Sequence, residues 1–312
     1  MAISGSNDIS LLQMGIGLLP VGISLFLSWK YKLGLSKSLI IGVVRGTIQL
    51  VAVGYILLWA FRQSDPWVLA ALILFMVGAA SESALKRLGG LQNEKSRRKY
   101  RWILFTAIFL GAGLTVSYLE FVVIRPTPLW EGRYLVPLAG MIVANAMNSA
   151  ALGVERFRSE LELRSGEIET LLALGATQQQ AVLKTVQVSA SAAMLPAINM
   201  LMVLGIVALP GMMSGQILAG ESPLTAVRYQ LLICFSIAAT AAIVTWVSIQ
   251  MTQKLYFTKN DQFIRSQDSG DRRKKRKNRR PRKSPRRFLD NLLVINDKEI
   301  VNCSYVNARG VL

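Results

Sequence analysis

Long apolar runs alternate with short polar connections along this chain, and the length of the runs decides the fold class. Crossing the ~30 Å hydrocarbon core of a bilayer takes ~20 mainly apolar helical residues. Seven runs meet or approach that length, at about 10–29, 38–61, 67–84, 102–124, 134–153, 188–212 and 226–250. The pattern predicts an all-α, polytopic membrane protein of about seven transmembrane helices in residues 1–253, followed by a polar tail over 254–312. Two runs carry interruptions: Ser81 and Glu82 crowd the end of the third, and Asn145, Asn148 and Ser149 break the fifth. No Lys or Arg precedes the first run, whereas a cleavable signal peptide needs a basic n-region, so this run is expected to remain as a membrane helix.

Charge then gives an orientation. Connections one, three and five, counted from the N-terminus, carry 14 Lys/Arg, and the even-numbered connections with the far end of the last span carry 4. Basic loops stay on the cytoplasmic side. With seven spans this puts the N-terminus outside and the C-terminal tail in the cytoplasm of a multi-pass cell-membrane protein. The connections expected outside are short and rich in turn formers, as in RPTP at 125–128 and GESP at 220–223.

One connection stands apart. Residues 154–187 mix Glu155, Glu160, Glu162, Glu167 and Glu169 with Arg156, Arg158 and Arg164, so the segment is solvated. Ile168, Leu171, Leu172 and Ala176 follow at i, i+3, i+4 and i+8, one face of a helix. A short amphipathic helix beneath the membrane can fill a groove on a partner. It can equally lie on the inner leaflet or under its own bundle.

Polar residues inside the spans are the candidates for a transport path. Gln49, Asn145 and Asn199 each lie about eleven residues into their runs, ~16 Å deep and near the midplane. Asn148 shares a helical face with Asn145. Such amides line wet paths or tie helices together by hydrogen bonds. Arg45 lies ~10 Å from the cytoplasmic end of its run. It can snorkel, pair with Glu82, or attract an anionic group. Pro196 inside the sixth run removes a backbone hydrogen bond and is expected to kink the helix, with Pro210 and Gly211 breaking it further on. Met194, Met200, Met202, Met212 and Met213 cluster nearby, as core filler or as soft-metal ligands.

The composition narrows the chemistry. Hydrophobic residues make up 52% and charged residues 17%, and histidine is absent, which removes the commonest acid–base group and metal ligand. Cys234 and Cys303 fall in an apolar run and in the tail, so they are expected to be unrelated thiols. Twelve of the sixteen residues 272–287 are Lys or Arg, a run that self-repels and is suited to anionic lipid. It has no aromatic interleaving, so no nucleic-acid partner is expected. No G-x-x-x-x-G-K-[ST] phosphate cradle occurs, so the chain carries no nucleotide engine of its own.

The segments RGTIQLVAVGY (45–55), MNSAALG (147–153), EIETLLALGAT (167–177) and LPGMMSGQILAG (209–220) together resemble the iron-export permease family of FetB-like proteins, over roughly residues 10–260. Plant aluminium-tolerance permeases are similar to the same family. Glu169 also stands six residues before Gly175, the Glu-to-Gly interval of the coupling loop in many ABC-importer permeases, although Thr170 and Leu171 replace the usual alanines. The resemblance implies an ABC transporter permease, a homodimer working with a separate ATPase that holds the ATP and Mg, and iron as cargo. Coupling to that ATPase would fall to Ile168, Glu169, Leu171, Leu172 and Gly175, and the path to Gln49, Asn145, Asn148, Asn199 and Pro196. A sugar nucleotide is the competing cargo implied by the plant relatives, and a non-transporting membrane scaffold is the competing class.

Overall fold

The computed structural model describes residues 10–258 and 263, apart from 33, 35, 61–64, 90–93, 126–130 and 208. The basic run 272–287 and Cys303 lie outside them. The described chain is helical: α1 (Leu11–Ile16), α2 (Leu19–Lys30), α3 (Ser36–Ala60), α4 (Pro66–Arg87) and α5 (Glu94–Tyr118), which continues as a π-helical segment (Leu119–Ile124). Then come α6 (Gly132–Leu163), α7 (Ser165–Ala173), α8 (Gln178–Val203), α9 (Gly211–Leu218) and α10 (Pro223–Gln253).

Six of these are long and apolar enough to cross a membrane: α3, α4, α5 with its π-helical end, α6, α8 and α10. The expected seventh span is divided. The first run breaks after Ile16, and α2 restarts with Pro20 in its first turn, where the missing N–H costs nothing. Twelve residues of α2 span only ~18 Å. The sixth run is also shifted. Its helix starts at Gln178, where Thr177 and Gln180 form a capping box, and stops at Val203. Pro210 and Gly211 therefore open α9 instead of breaking α8. Pro196 lies within α8, which runs on for seven more residues.

The bundle is built from α4, α5, α6, α8 and α10. Leu104, Ile108, Ala139, Ile142 and Ala146 centre the largest core, where α4, α5 and α6 meet. Leu138, Ala197, Ile233, Ile237 and Ala241 join α6, α8 and α10. Met200 and Met212 pack on that second cluster, the filler role open to a flexible thioether. In lipid there is little hydrophobic drive between helices, so close packing of small residues does much of the work. Gly111 shows how close: a Cβ there would overlap Val244 Cγ2 of α10. By contrast, no described residue of α3 is buried, and its link to α2 includes the Ser36–Ser28 hydroxyl pair at 3.0 Å.

Exposed Trp and Tyr side chains on the bundle's helices fall toward its two ends. Trp102 and Trp246 lie toward the end that carries the basic connections, and Trp67, Tyr118 and Tyr134 toward the opposite end. Such rings settle at membrane–water interfaces. Helix α6 has 32 residues, ~48 Å, and so outruns the ~30 Å apolar layer.

Candidate functional site

The part of α6 beyond the bundle, with α7 and the start of α8, forms a foot at the basic end. Its own apolar cluster holds it together. Phe157 and Leu161 of α6, Ile168 of α7, Ala181 and Val182 of α8, Ile249 of α10, and Tyr256 and Phe257 just after α10 are all buried there. Leu171 and Leu172 pack against the same cluster, half-buried. The apolar face of the amphipathic segment is thus turned onto its own bundle. Ile168, 1% exposed, is not available to a partner, because the stripe finds matching apolar surface within the chain.

What the foot presents outward is different. Glu169 and Gly175 are exposed, and so are two leucines at either end of α7, Leu163 (78%) and Leu174 (80%). Sequence reasoning passed over both, since neither falls on the apolar stripe. Their signal is that mismatch itself: large apolar residues placed on the polar side of a solvated helix.

The foot's shape is fixed at both corners. Between α6 and α7, Arg164 donates to Glu160 at 3.0 Å and to Glu167 at 3.3 Å, and Arg156 meets the other oxygen of Glu160 at 2.9 Å. Hydrogen bonding to Glu160, with the charge of Glu167 beside it, holds the Arg164 guanidinium above its ordinary value. Glu160 itself is buried, so removing both arginines would leave its charge without a counter-ion. Between α7 and α8 the chain turns on Gly175, at φ +87°, where L side chains are strained. The Gly175 N–H donates to Leu172 O and the Ala176 N–H to Leu171 O, both at 3.0 Å, the two bonds of a Schellman motif. Gly175 therefore has a geometric role in ending α7.

A latch that the sequence did not reveal seats the foot on the bundle. Arg158, 8% exposed, donates to the Gly89 carbonyl at 3.2 Å and lies 5.2 Å above the ring of Tyr100. The Tyr100 hydroxyl meets that of Tyr256 at 3.0 Å. One guanidinium thus ties the ends of α4 and α5 and the segment after α10 to α6.

The polar residues of the spans do not converge on one point. Asn145, half-buried, donates to Met141 O of its own helix at 2.8 Å. Asn148 is exposed and accepts from Arg87 Nη1 of α4 at 2.7 Å. Gln49, Asn199 and Pro196 are exposed on α3 and α8. Glu82 does not reach Arg45; it accepts from Arg101 at 3.0 Å and Arg97 at 3.5 Å, because the short connection after α4 brings the basic first turns of α5 alongside. Arg45 is exposed on α3. Cys234 is a buried free thiol that accepts from Gln230 at 3.1 Å. Among the described residues no group of three or more His, Cys, Asp or Glu side chains is placed to hold a metal ion.

One acidic residue within a span was missed. Glu120 begins the π-helical segment's second position and is 3% exposed. Leu104, Ile108, Ala112, Val116 and Glu120 fall at every fourth position of one row, and all are buried. That spacing was readable in the sequence, and it places a carboxyl group on the core-facing row of its helix.

Comparison with known proteins accounts for most of the described chain. The model of a family described as Uncharacterised protein family (UPF0014) matches residues 11–257. The UPF0014 membrane protein YjkA of Bacillus subtilis is 34% identical over 252 residues, covering 81% of this chain and 97% of its own length. The probable iron export permease protein FetB of Escherichia coli is 31% identical over 262 residues, 84% of this chain and 98% of that one. The Arabidopsis thaliana protein ALUMINUM SENSITIVE 3 is 31% identical over 244 residues, 78% and 85% respectively. No solved structure matches the chain.

Proposed function

The chain belongs to the UPF0014 family of membrane permeases, and from that premise we propose that it is the membrane-spanning subunit of an ABC-type exporter driven by a separate ATPase. The observation that carries the reading is the foot: a charge-braced corner at the basic end of the bundle that exposes Leu163, Glu169 and Leu174. A partner seated there would cover two leucines that water otherwise meets, and its movement would pass directly into α6 and α8. The ATPase would supply ATP and Mg. The 14-to-4 bias of basic residues supports a cytoplasmic foot and tail, and an outward N-terminus would in addition need α1 and α2 to cross the bilayer together.

Iron is the proposed cargo, on the strength of the name of the Escherichia coli relative. Two permease chains would associate through α3. In support of this, α3 buries nothing in the single chain, yet carries Arg45, Thr47 and Gln49 along its length. Polar side chains at that depth face protein or a wet path more readily than lipid. In such a dimer Gln49 and Asn199 would come to line the path, together with Asn145 and Asn148.

Purification of the full chain from its own membranes tests the reading. An ATPase subunit should co-purify, and adding the permease should raise its ATP turnover. Turnover indifferent to the permease, or residues 163–177 accessible to label from outside the cell, would sink it.

A further inference from the structure

We propose that Glu120 and the cavity beside it bind an organic ammonium ion, a single positive charge carried on a small apolar body. The proposal stands apart from the transport reading. A cavity of about 270 Å³ lies between α4, α5 and α6, and Glu120 is one of its lining residues. Its Oε1 is buried without a hydrogen-bond partner. Carboxyl groups within membrane spans are rare and mark functional positions. The backbone adds to this: Glu120 sits in a π-helical segment closed by the Arg125 N–H on Glu120 O at 3.1 Å, and π-segments recur at functional sites.

The walls decide the ligand. Ser117 is the only other polar residue among those lining the cavity; the rest include Leu74, Val77, Phe109 and Phe121. A bare divalent metal ion needs six or more oxygen ligands, or nitrogen and sulfur donors, and one carboxylate with one hydroxyl cannot supply them. An anion would be repelled, and a guest with neither a donor nor a positive charge would leave Oε1 unanswered. A proton alone would leave the cavity without use. An ammonium on an apolar body meets every feature: its charge at Glu120, its carbons against aliphatic walls, and the rings of Phe109 and Phe121 for further cation–π attraction. Leu74, Phe109 and Phe121 are also partly exposed on the bundle surface, so the cavity opens sideways, toward the lipid. The same chemistry is offered by a free lipophilic amine and by the headgroup of an aminolipid.

Equilibrium binding of radiolabelled tetraethylammonium to the full chain, in detergent free of aminolipid, tests this. Saturable binding of one probe per chain is expected, with Glu120→Gln lowering affinity at least tenfold and Glu120→Asp retaining part of it. Gly113→Leu should abolish binding with the carboxylate in place, since Gly113 lines the cavity and a Cβ there meets nothing within 4 Å. If Glu120→Gln fails to fold in a thermal unfolding assay, Gly113→Leu decides. Unsaturable binding, unchanged affinity in either variant that folds, or displacement of the probe by millimolar Mg²⁺ or Mn²⁺ overturns the assignment. Weaker probe binding in neutral detergent supplemented with phosphatidylethanolamine than in the same detergent alone identifies the lipid amine as the natural source. Equal binding identifies a free amine.

Discussion

Truncating Ile168 and truncating Leu174 should have opposite consequences, although both are large aliphatic residues within seven positions of each other. Ile168 is 1% exposed and packs among Phe157, Leu161 and Val182. Ile168→Ala removes that contact and leaves a cavity, at a cost of ~2–5 kcal/mol to the foot. Leu174 is 80% exposed, so Leu174→Ala should change the stability of the free chain by less than ~0.5 kcal/mol. If the ATPase covers it, the lost burial is about 1.5 kcal/mol or more, roughly a tenfold change in affinity. The assay is ATP turnover titrated with permease in nanodiscs, alongside thermal unfolding of each variant alone. Leu174→Ala should raise the permease concentration needed for half-maximal stimulation about tenfold with unfolding unmoved. Ile168→Ala should lower the unfolding temperature and reduce maximal stimulation. An unchanged half-maximal concentration for Leu174→Ala refutes the docking face. A weakened titration for Ile168→Ala with normal unfolding refutes the claim that its face is turned inward.

Further outcomes follow from the geometry of the corners and of the charges. Gly175→Ala forces an L side chain to φ +87° and should destabilise the α7–α8 turn by ~1–2 kcal/mol, read by hydrogen exchange of residues 171–177. Thr177→Ala loses the cap of α8 and should cost ~1 kcal/mol in the same measurement. Glu82→Lys should be relieved by Arg101→Glu and unaffected by Arg45→Glu in thermal unfolding; since these side chains are 35–49% exposed, each effect should stay within ~1 kcal/mol. Removal of residues 270–312 should leave export from cells intact, and its loss would give the basic tail an essential part.

The spans were legible because length and apolarity alone decide them. Position within the chain was harder to read. In the first run, the sequence shows twenty mostly apolar residues, and only Pro20 signals that the helix must restart there. The stripe Ile168, Leu171 and Leu172 reveals that one face of α7 will be covered, yet cannot say by what. The covering residues, Phe157, Val182, Ile249 and Phe257, come from segments far apart in sequence. Depth arguments placed Arg45 and Glu82 at similar levels without showing that Arg97 and Arg101 reach Glu82 first. Glu120 escaped because an acidic residue near the end of an apolar run reads as a boundary, whereas its every-fourth spacing from Leu104 put it on the buried side.

Helix α6 combines length with unbroken pairing from beside Pro137 to the braced corner at Arg164. A ~48 Å rod swung by about 10° at one end moves the other by about 8 Å, close to the distance between neighbouring helix axes. A modest tilt imposed from below is thus multiplied, by leverage alone, into a displacement as wide as a helix at the far membrane surface. The same tilt would carry Asn145 and Asn148, partway along the rod, through a proportionate fraction of that arc.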